Sequence, residues 1–222
     1  IYFIRGFMKK IYYVLYVICL LLLTTVLVYA KVSDYKLSGK KVVIDVGHGG
    51  LDVGTIYHEI YEKDINLGIA LKLKEKLAKE GVTVYMTRDE DYDLASPNAK
   101  RRKKSDFDNR IKYINESKAD FYISIHINYL DNSKYSGGQV FYLDNSYDLA
   151  ISIQETFNKE LKSTREVKKM SNTYYMYRQL NIPGVLIECG FLSNASERAK
   201  LTTESYQEEI AKTIVKGIIN YY

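Results

Sequence analysis

From residue 41 onward, short runs of β-branched and aromatic residues alternate with longer stretches of helical periodicity, and this alternation most constrains the fold. The pattern predicts strands near 41–46, 82–87, 121–127, 139–143 and 184–189. It predicts helices near 62–80, 109–117, 147–161 and 204–221. Strands separated by helices pair in parallel through crossovers that cover the sheet. The expected architecture is therefore an α/β single-domain sandwich with a largely parallel central sheet and helices on both faces. Two prolines in 222 residues, with no repeat and no compositional break after residue 40, favour one domain. A hydrophobic content of 46% against 27% charged residues supplies a core and excludes a disordered chain.

The first 30 residues differ in kind. Arg5, Lys9 and Lys10 precede a run from Ile11 to Ala30 that contains no acid, which is the layout of an export signal. Val28-Tyr29-Ala30 ends the run on a small residue, so cleavage before Lys31 is expected; uncleaved, the run has the length of a membrane anchor. Met8-Lys9-Lys10 reads as the start of such a segment, with residues 1–7 as upstream sequence. Residues 31–40 are then expected to form a short linker and 41–222 the folded domain, which the export signal would place outside the cytoplasm. The net charge of +5 falls to +2 without the segment, leaving 29 Lys plus Arg against 27 Asp plus Glu. That balance does not point to nucleic acid. Of the two cysteines, Cys19 lies in the apolar run, so Cys189 has no partner for an internal disulfide.

Four residues carry most of the chemical information. The first strand, Val42-Val43-Ile44-Asp45-Val46, ends in Gly47-His48-Gly49-Gly50, and ligand sites in open α/β sheets gather at strand carboxyl ends. The glycines let the backbone turn sharply and leave the imidazole uncrowded; a turn-capping histidine is the other reading. Glu62 heads a helical stripe continued by Asn66, Ile69, Leu73 and Leu77, so its carboxylate points inward, although an acid in a first turn also simply complements the helix dipole. His58 and Glu59, just upstream, do not share that stripe. In Phe121–Asn128 the aromatic and isoleucine residues take one face while Tyr122, Ser124, His126 and Asn128 take the other, so His126 is either a ligand or a hydrogen-bonded core histidine. Glu188 ends the apolar strand of Pro183-Gly184-Val185-Leu186-Ile187, where an unpaired carboxylate is costly unless it is salt-bridged or protonated. The neighbouring Cys189 has the setting of an inert buried thiol. Together, two histidines and one glutamate make the three-ligand set of a catalytic zinc site, and a second glutamate supplies the base such a site needs.

The segments "VVIDVGHGGLDVGT", "EKDINLGIALKLKEKL", "TVYMTRDED", "ADFYISIHIN" and "PGVLIECGFLSN" together resemble the zinc-dependent N-acetylmuramoyl-L-alanine amidases of the family-3 type, in order and across essentially all of 41–222. The resemblance implies a Zn2+ cofactor held by His48, Glu62 and His126, with Glu188 as catalytic acid/base. It selects Glu62 over Glu59, because only Glu62 is followed by Lys63 and then Asn66. Asn128 is expected to help orient substrate or the ligand shell. The implied reaction is hydrolysis of the amide joining the lactyl group of N-acetylmuramic acid to L-alanine in peptidoglycan. A zinc peptidase or carboxypeptidase on a similar scaffold, or a non-catalytic wall-binding relative, are the alternatives.

A narrower resemblance is to the amidases of spore-cortex formation and germination. It rests on a short exported domain without wall-binding repeats and on "AKRRKKSDFDNR", and implies removal of stem peptides on the way to muramic-δ-lactam. Expected partners are peptidoglycan bearing stem peptides and an accessory or membrane-attached protein that aids metal or substrate binding. The membrane is met only through an uncleaved N-terminal segment. The site of action is the cell wall or the forespore intermembrane space. The basic run at 100–104 reads first as a solvated face, and otherwise as a contact for an anionic polymer, membrane surface or protein; no nucleic-acid partner is expected.

Overall fold

The computed structural model describes residues 2–33, 35–171 and 173–222. In chain order the elements are α1 (Tyr2–Ser33), β1 (Lys41–Val46), β2 (Ile56–Tyr57), β3 (Ile60–Tyr61), α2 (Glu62–Lys79), β4 (Thr83–Met86), α3 (Arg102–Glu116), β5 (Phe121–Asn128), β6 (Gln139–Tyr142), α4 (Tyr147–Glu160), β7 (Lys168–Lys169), β8 (Gly184–Phe191), α5 (Ala195–Leu201) and α6 (Glu204–Tyr221). The central sheet has the order β4-β1-β5-β8-β6-β7. β4, β1, β5 and β8 run parallel, β6 is antiparallel to β8, and β7 runs parallel to β6. The largely parallel sheet is thus present, with its reversed strands confined to one side.

Alternation along each strand sorts the core into two layers. Val42, Ile44 and Val46 of β1, the four apolar residues Phe121, Ile123, Ile125 and Ile127 of β5, and Val185 and Ile187 of β8 face α2, α4 and α6. Those helices answer with stripes such as Ile65, Ile69, Leu73 and Leu77 in α2, and Ile210, Ile214 and Ile218 in α6. On the opposite face Val43, Tyr122, Phe141 and Leu186 pack against Ile114 of α3 and against Met170, Met176 and Tyr177 of an irregular segment. The second face is therefore covered half by a helix and half by a loop, and the catalytic-type side chains predicted on β5 and β8 point to it.

The structure extends several expectations. α3 begins at Arg102, seven residues before the expected start near 109. Its first turns lack an apolar stripe, and cations at a helix N-terminus oppose the dipole, so the periodicity is silent there. Ion pairs hold the turns instead: Arg102 donates to both oxygens of Asp93, Lys103 pairs with Asp52 and Lys104 with Asp108. The basic run thus becomes largely internal pairing. The hairpin β2–β3, the two-residue β7 and the short α5 are too brief to show a period in sequence.

At the N-terminus α1 spans the apolar run. Among the described residues, no helix is long and apolar enough to cross a membrane. The expected cleavage point at Ala30 lies among residues whose side chains are not described. The chain joins the domain before β1: Leu37 is fully buried in the main core, and Gly39 N donates to Gly81 O.

Two arginines are fully buried where β1 ends. Arg110 of α3 donates to Asp45 Oδ1 at 2.8 Å, to Asp106 Oδ2 at 2.9 Å, and to the carbonyls of Val46 and His48 at 2.6 and 2.7 Å. Arg88, just past β4, donates to the carbonyls of Val46, Gly47, Lys63 and Glu90 at 2.7–3.3 Å. A strand end that leaves the sheet has carbonyls with no ladder partner, and the guanidinium fork satisfies several at once. Arg110→Met strands two buried carboxylates and two carbonyls. It is expected to destabilise the fold by about 3–5 kcal/mol in urea unfolding, whereas Arg101→Ala on the exposed run stays within about 0.5 kcal/mol.

Candidate metal centre

The site forms at the carboxyl ends of β1, β5 and β8, with the first turn of α2 overhanging them. Gly47 N still donates to Ile125 O, after which the chain turns at His48, whose φ of 61° lies in the left-handed region. That conformation is uncommon for a residue with a side chain and persists where surroundings enforce it. Here Arg110 holds the His48 carbonyl, and a reciprocal pair of backbone bonds between Gly49 and Asp52 closes the turn.

Gly49 and Gly50, at φ 132° and 55°, make the sharp turn expected of them, while Gly47 and Gly54 admit close neighbours. A Cβ on Gly47 would lie 2.4 Å from the ring of His126, and one on Gly54 would lie 2.7 Å from both Glu62 Oε2 and the ring of His48. Gly54 leaves room for the His48 ring, and Gly47 for that of His126. They let the second imidazole and the glutamate close in on His48.

Glu62 is the first residue of α2, and its buried carboxylate is the centre of the cluster. The helix has no side-chain N-cap; Glu62 N and Lys63 N donate to the carbonyls of Thr55 and Val53 instead. Glu62 Oε1 lies 3.2 Å from His48 Nε2 and 3.0 Å from His126 Nδ1. It also accepts from Ile127 N and Asn66 Nδ2, while Oε2 accepts from Thr55 N. The two imidazoles meet edge to face with centroids 4.9 Å apart.

One donor atom from each of His48, Glu62 and His126 lies within 4.8 Å of the others, so the three could hold a metal ion. The donor set fits zinc chemically: two imidazole nitrogens and one carboxylate oxygen converge. His48 Nδ1 lies 3.0 Å from Asp52 Oδ2, although not aligned for a hydrogen bond. A carboxylate behind a ligating histidine is a common support for such ligands.

Electrostatics follow from this crowding. Burial alone would lower the His48 pKa, but the Asp52 and Glu62 carboxylates outweigh it and raise it to about 9 in the metal-free chain. Burial would raise Glu62, yet the two histidines hold it well below the usual carboxylate range.

Glu188 is treated differently by its surroundings. It pairs directly across from His126 in the β5–β8 register, which shifts just beyond at a bulge between His126 and Asn128. Its Oε2 is buried and, among the described residues, has no hydrogen-bond partner. Burial pushes its pKa up to about 7, against the opposing pull of His126. No salt bridge to Glu188 is found among the described residues.

Two clefts meet at this cluster. A cavity of about 320 Å³ is walled by Phe107, Tyr174, Tyr175 and Leu186 and opens on His48, His126 and Glu188. On the other side a polar cleft runs past Thr55, Asn128 and Tyr129. Asn128 thus lines the approach rather than the cluster, and its carbonyl accepts from Leu192 N. His58 and Glu59 lie at the tip of the β2–β3 hairpin, outside the cluster. Cys189 is buried in the main core with its thiol pushed well above its ordinary value, as an inert packing residue. The sequence reading passed over Asp45, Asp52, Arg88, Arg110 and Tyr177. An acid inside the apolar run Val42-Val43-Ile44-Asp45-Val46 was the one available sign that a buried cation faced this strand.

Comparison with known proteins agrees with this geometry. The sequence profile of the family described as N-acetylmuramoyl-L-alanine amidase matches residues 42–220. The chain is 40% identical over 192 residues to the germination-specific N-acetylmuramoyl-L-alanine amidase of Bacillus subtilis, covering 84% of this chain and 81% of that protein. It is 32% identical over 190 residues to a probable cell wall amidase, LytH, of Staphylococcus aureus, covering 84% of this chain and 60% of that one. Among solved structures it is similar to the CwlD amidase from Clostridioides difficile in complex with the GerS lipoprotein, at 40% identity and a TM-score of 0.78, covering 82% of this chain and 98% of that one. With its profile match, sequence relatives and fold in agreement, the chain belongs to the N-acetylmuramoyl-L-alanine amidase family of amide hydrolases.

Proposed function

We propose that this chain hydrolyses the amide between the lactyl group of N-acetylmuramic acid and the L-alanine of a peptidoglycan stem peptide, with zinc held by His48, Glu62 and His126 and with Glu188 as general acid and base. The observation that carries the reading is Glu188: a half-buried carboxylate opposite one proposed ligand, whose buried Oε2 has no hydrogen-bond partner among the described residues and whose pKa is raised to about 7. A structural acid would be paired; a base must keep a free lone pair.

When bound, zinc supplies Lewis acidity that acidifies water and polarises a carbonyl oxygen. The chain's own residues do the rest. Glu188, ionised in part near neutrality, takes a proton from the attacking water at a carboxylate oxygen. It then returns that proton to the alanine nitrogen as the amide bond breaks, which a carboxyl group with a pKa near neutrality can do in both directions. The cavity beside Tyr174 and the cleft beside Asn128 receive the two sides of the scissile bond, with Asn128 orienting substrate.

Three finer points belong to the same proposal. Similarity to a germination-specific amidase supports a role in germination, and we extend it to action on spore cortex as a step toward muramic-δ-lactam. Residues 1–30 act as an export signal or anchor, consistent with extracytoplasmic work on a wall polymer. An accessory protein aids metal or substrate binding, in keeping with the lipoprotein bound to a similar amidase.

Digestion of intact peptidoglycan tests the reading: free stem peptides and peptide-free muramic acid are expected, and cleavage between amino acids would instead indicate a zinc peptidase. Glu188→Gln should lower kcat by about 10²–10⁴-fold while zinc content stays stoichiometric. A further expectation concerns pH. Protonated His48, paired with Asp52 and Glu62, stabilises the metal-free fold below the ordinary histidine value, and that contribution is lost as pH rises through about 9. Metal ligation needs the neutral ring, so zinc affinity moves the other way. It should rise with pH and level off near pH 9, with proton release on binding at pH 7.5, as measured by calorimetry in buffers of different ionisation enthalpy.

A further inference from the structure

His126 has two ring nitrogens with different neighbours. Nδ1 faces Glu62 Oε1 at 3.0 Å, and Nε2 faces the Tyr177 hydroxyl at 3.4 Å. The Tyr177 hydroxyl is 3.0 Å from Ser124 Oγ, and Ser124 Oγ is 2.6 Å from Asp45 Oδ2. Asp45 is buried, and although burial alone would raise its pKa, Arg110 and Ser124 hold it below the usual carboxylate range. It is therefore an acceptor only. Ser124 must spend its one hydroxyl hydrogen on Asp45, and so accepts from Tyr177. Tyr177 has then spent its own hydrogen, and so accepts from His126 Nε2–H. Every bond in the relay has one permitted direction, and that direction commits the Nε2 hydrogen to Tyr177, so the lone pair of a neutral His126 ring lies at Nδ1, toward Glu62.

In that neutral form Nδ1 and Glu62 Oε1, 3.0 Å apart, direct two lone pairs at one point, the arrangement in which a cation binds between them. We propose that Tyr177, relayed through Ser124 to Asp45, is a positioning residue that fixes the His126 tautomer and so presents Nδ1 to the metal. The proposal rests on His126 being a metal ligand. It also gives the irregular segment a role. Asp45, Ser124 and His126 belong to the sheet, whereas Tyr177 belongs to a 3-10 turn, Tyr177–Gln179, next to the aromatic wall of the cavity. The seat of that turn and the grip on the metal are then one linked equilibrium, so each must strengthen the other. Arg110 completes the arrangement. It orients Asp45 at the far end of the relay, and its other nitrogen holds the carbonyl of His48.

The test uses Tyr177→Phe, which keeps the ring and removes only the hydroxyl, with Ser124→Ala as an independent break of the same chain. In metal-free wild-type protein, at a pH where the His126 ring is neutral, long-range ¹H–¹⁵N spectra should show the Nε2–H tautomer alone, and Tyr177→Phe should produce a mixture of tautomers. Zinc affinity, measured by chelator competition, should fall about 10–100-fold in either variant with little further loss in the double variant. The urea midpoint of the metal-free protein should barely move. Zinc should slow amide exchange over residues 174–180 in the wild type but not in Tyr177→Phe. An unchanged His126 spectrum in Tyr177→Phe, or zinc affinity within twofold of wild type in that variant, would overturn the proposal. If the tautomer shifts but wild-type protein binds no zinc, the ligand assignment of His126 fails while the relay stands.

Discussion

A guanidinium buried between two carboxylates organises this molecule. Arg110 reaches from α3 into the end of β1, where it bridges Asp45 and Asp106 and takes the carbonyls of Val46 and His48. The cost of dehydrating a charge there is large, and only a full set of partners offsets it. Because the set is full, it leaves little freedom: β1, α3 and the turn after β1 must meet in one way. Arg88 does the same for the next layer, tying Gly47 O to Lys63 O and hence the turn of His48 to the start of α2, where Glu62 resides. The candidate centre is precise because the backbone beneath it is tied by ions rather than by packing alone.

That arrangement explains which parts were legible in sequence. Strands β1, β5 and β8 declared themselves by β-branched runs, and α2, α4 and α6 by their stripes, since burial against a sheet imposes a period. His48, His126 and Glu188 were legible as polar residues at the carboxyl ends of apolar strands, and Glu62 as an acid heading an apolar helical stripe. The first turns of α3 were not, because ion pairs with Asp93, Asp52 and Asp108 hold them and ion pairs leave no period. Arg88 and Arg110 were hidden in charged stretches that read as surface; nothing local distinguishes a buried arginine from a solvated one. Tyr177 was hidden by the irregular segment that carries it, whose course depends on tertiary contacts with Tyr122 and Phe141.

Roles differ even among the legible residues. Glycines around His48 suggested open space, yet the space at Gly47 is filled by the other imidazole. Small residues in a motif can mean room for a ligand or room for a neighbour, and only coordinates separate the two. Glu62, buried, and Glu188, half-buried, are driven in opposite directions, one downward by two histidines and the other upward by dehydration of its carboxylate. Such divergence is how a single fold can provide both a metal-binding carboxylate and a proton carrier.

The far edge of the sheet carries a quieter consequence. β7 is only Lys168 and Lys169, both exposed, with Lys168 over the ring of Phe141 and Lys169 paired to Asp144. A strand from a second molecule could extend the sheet there only by stripping water from two ammonium groups. That edge of the sheet therefore resists extension by a second copy of the chain, so the domain can meet a polymer surface without pairing through β7.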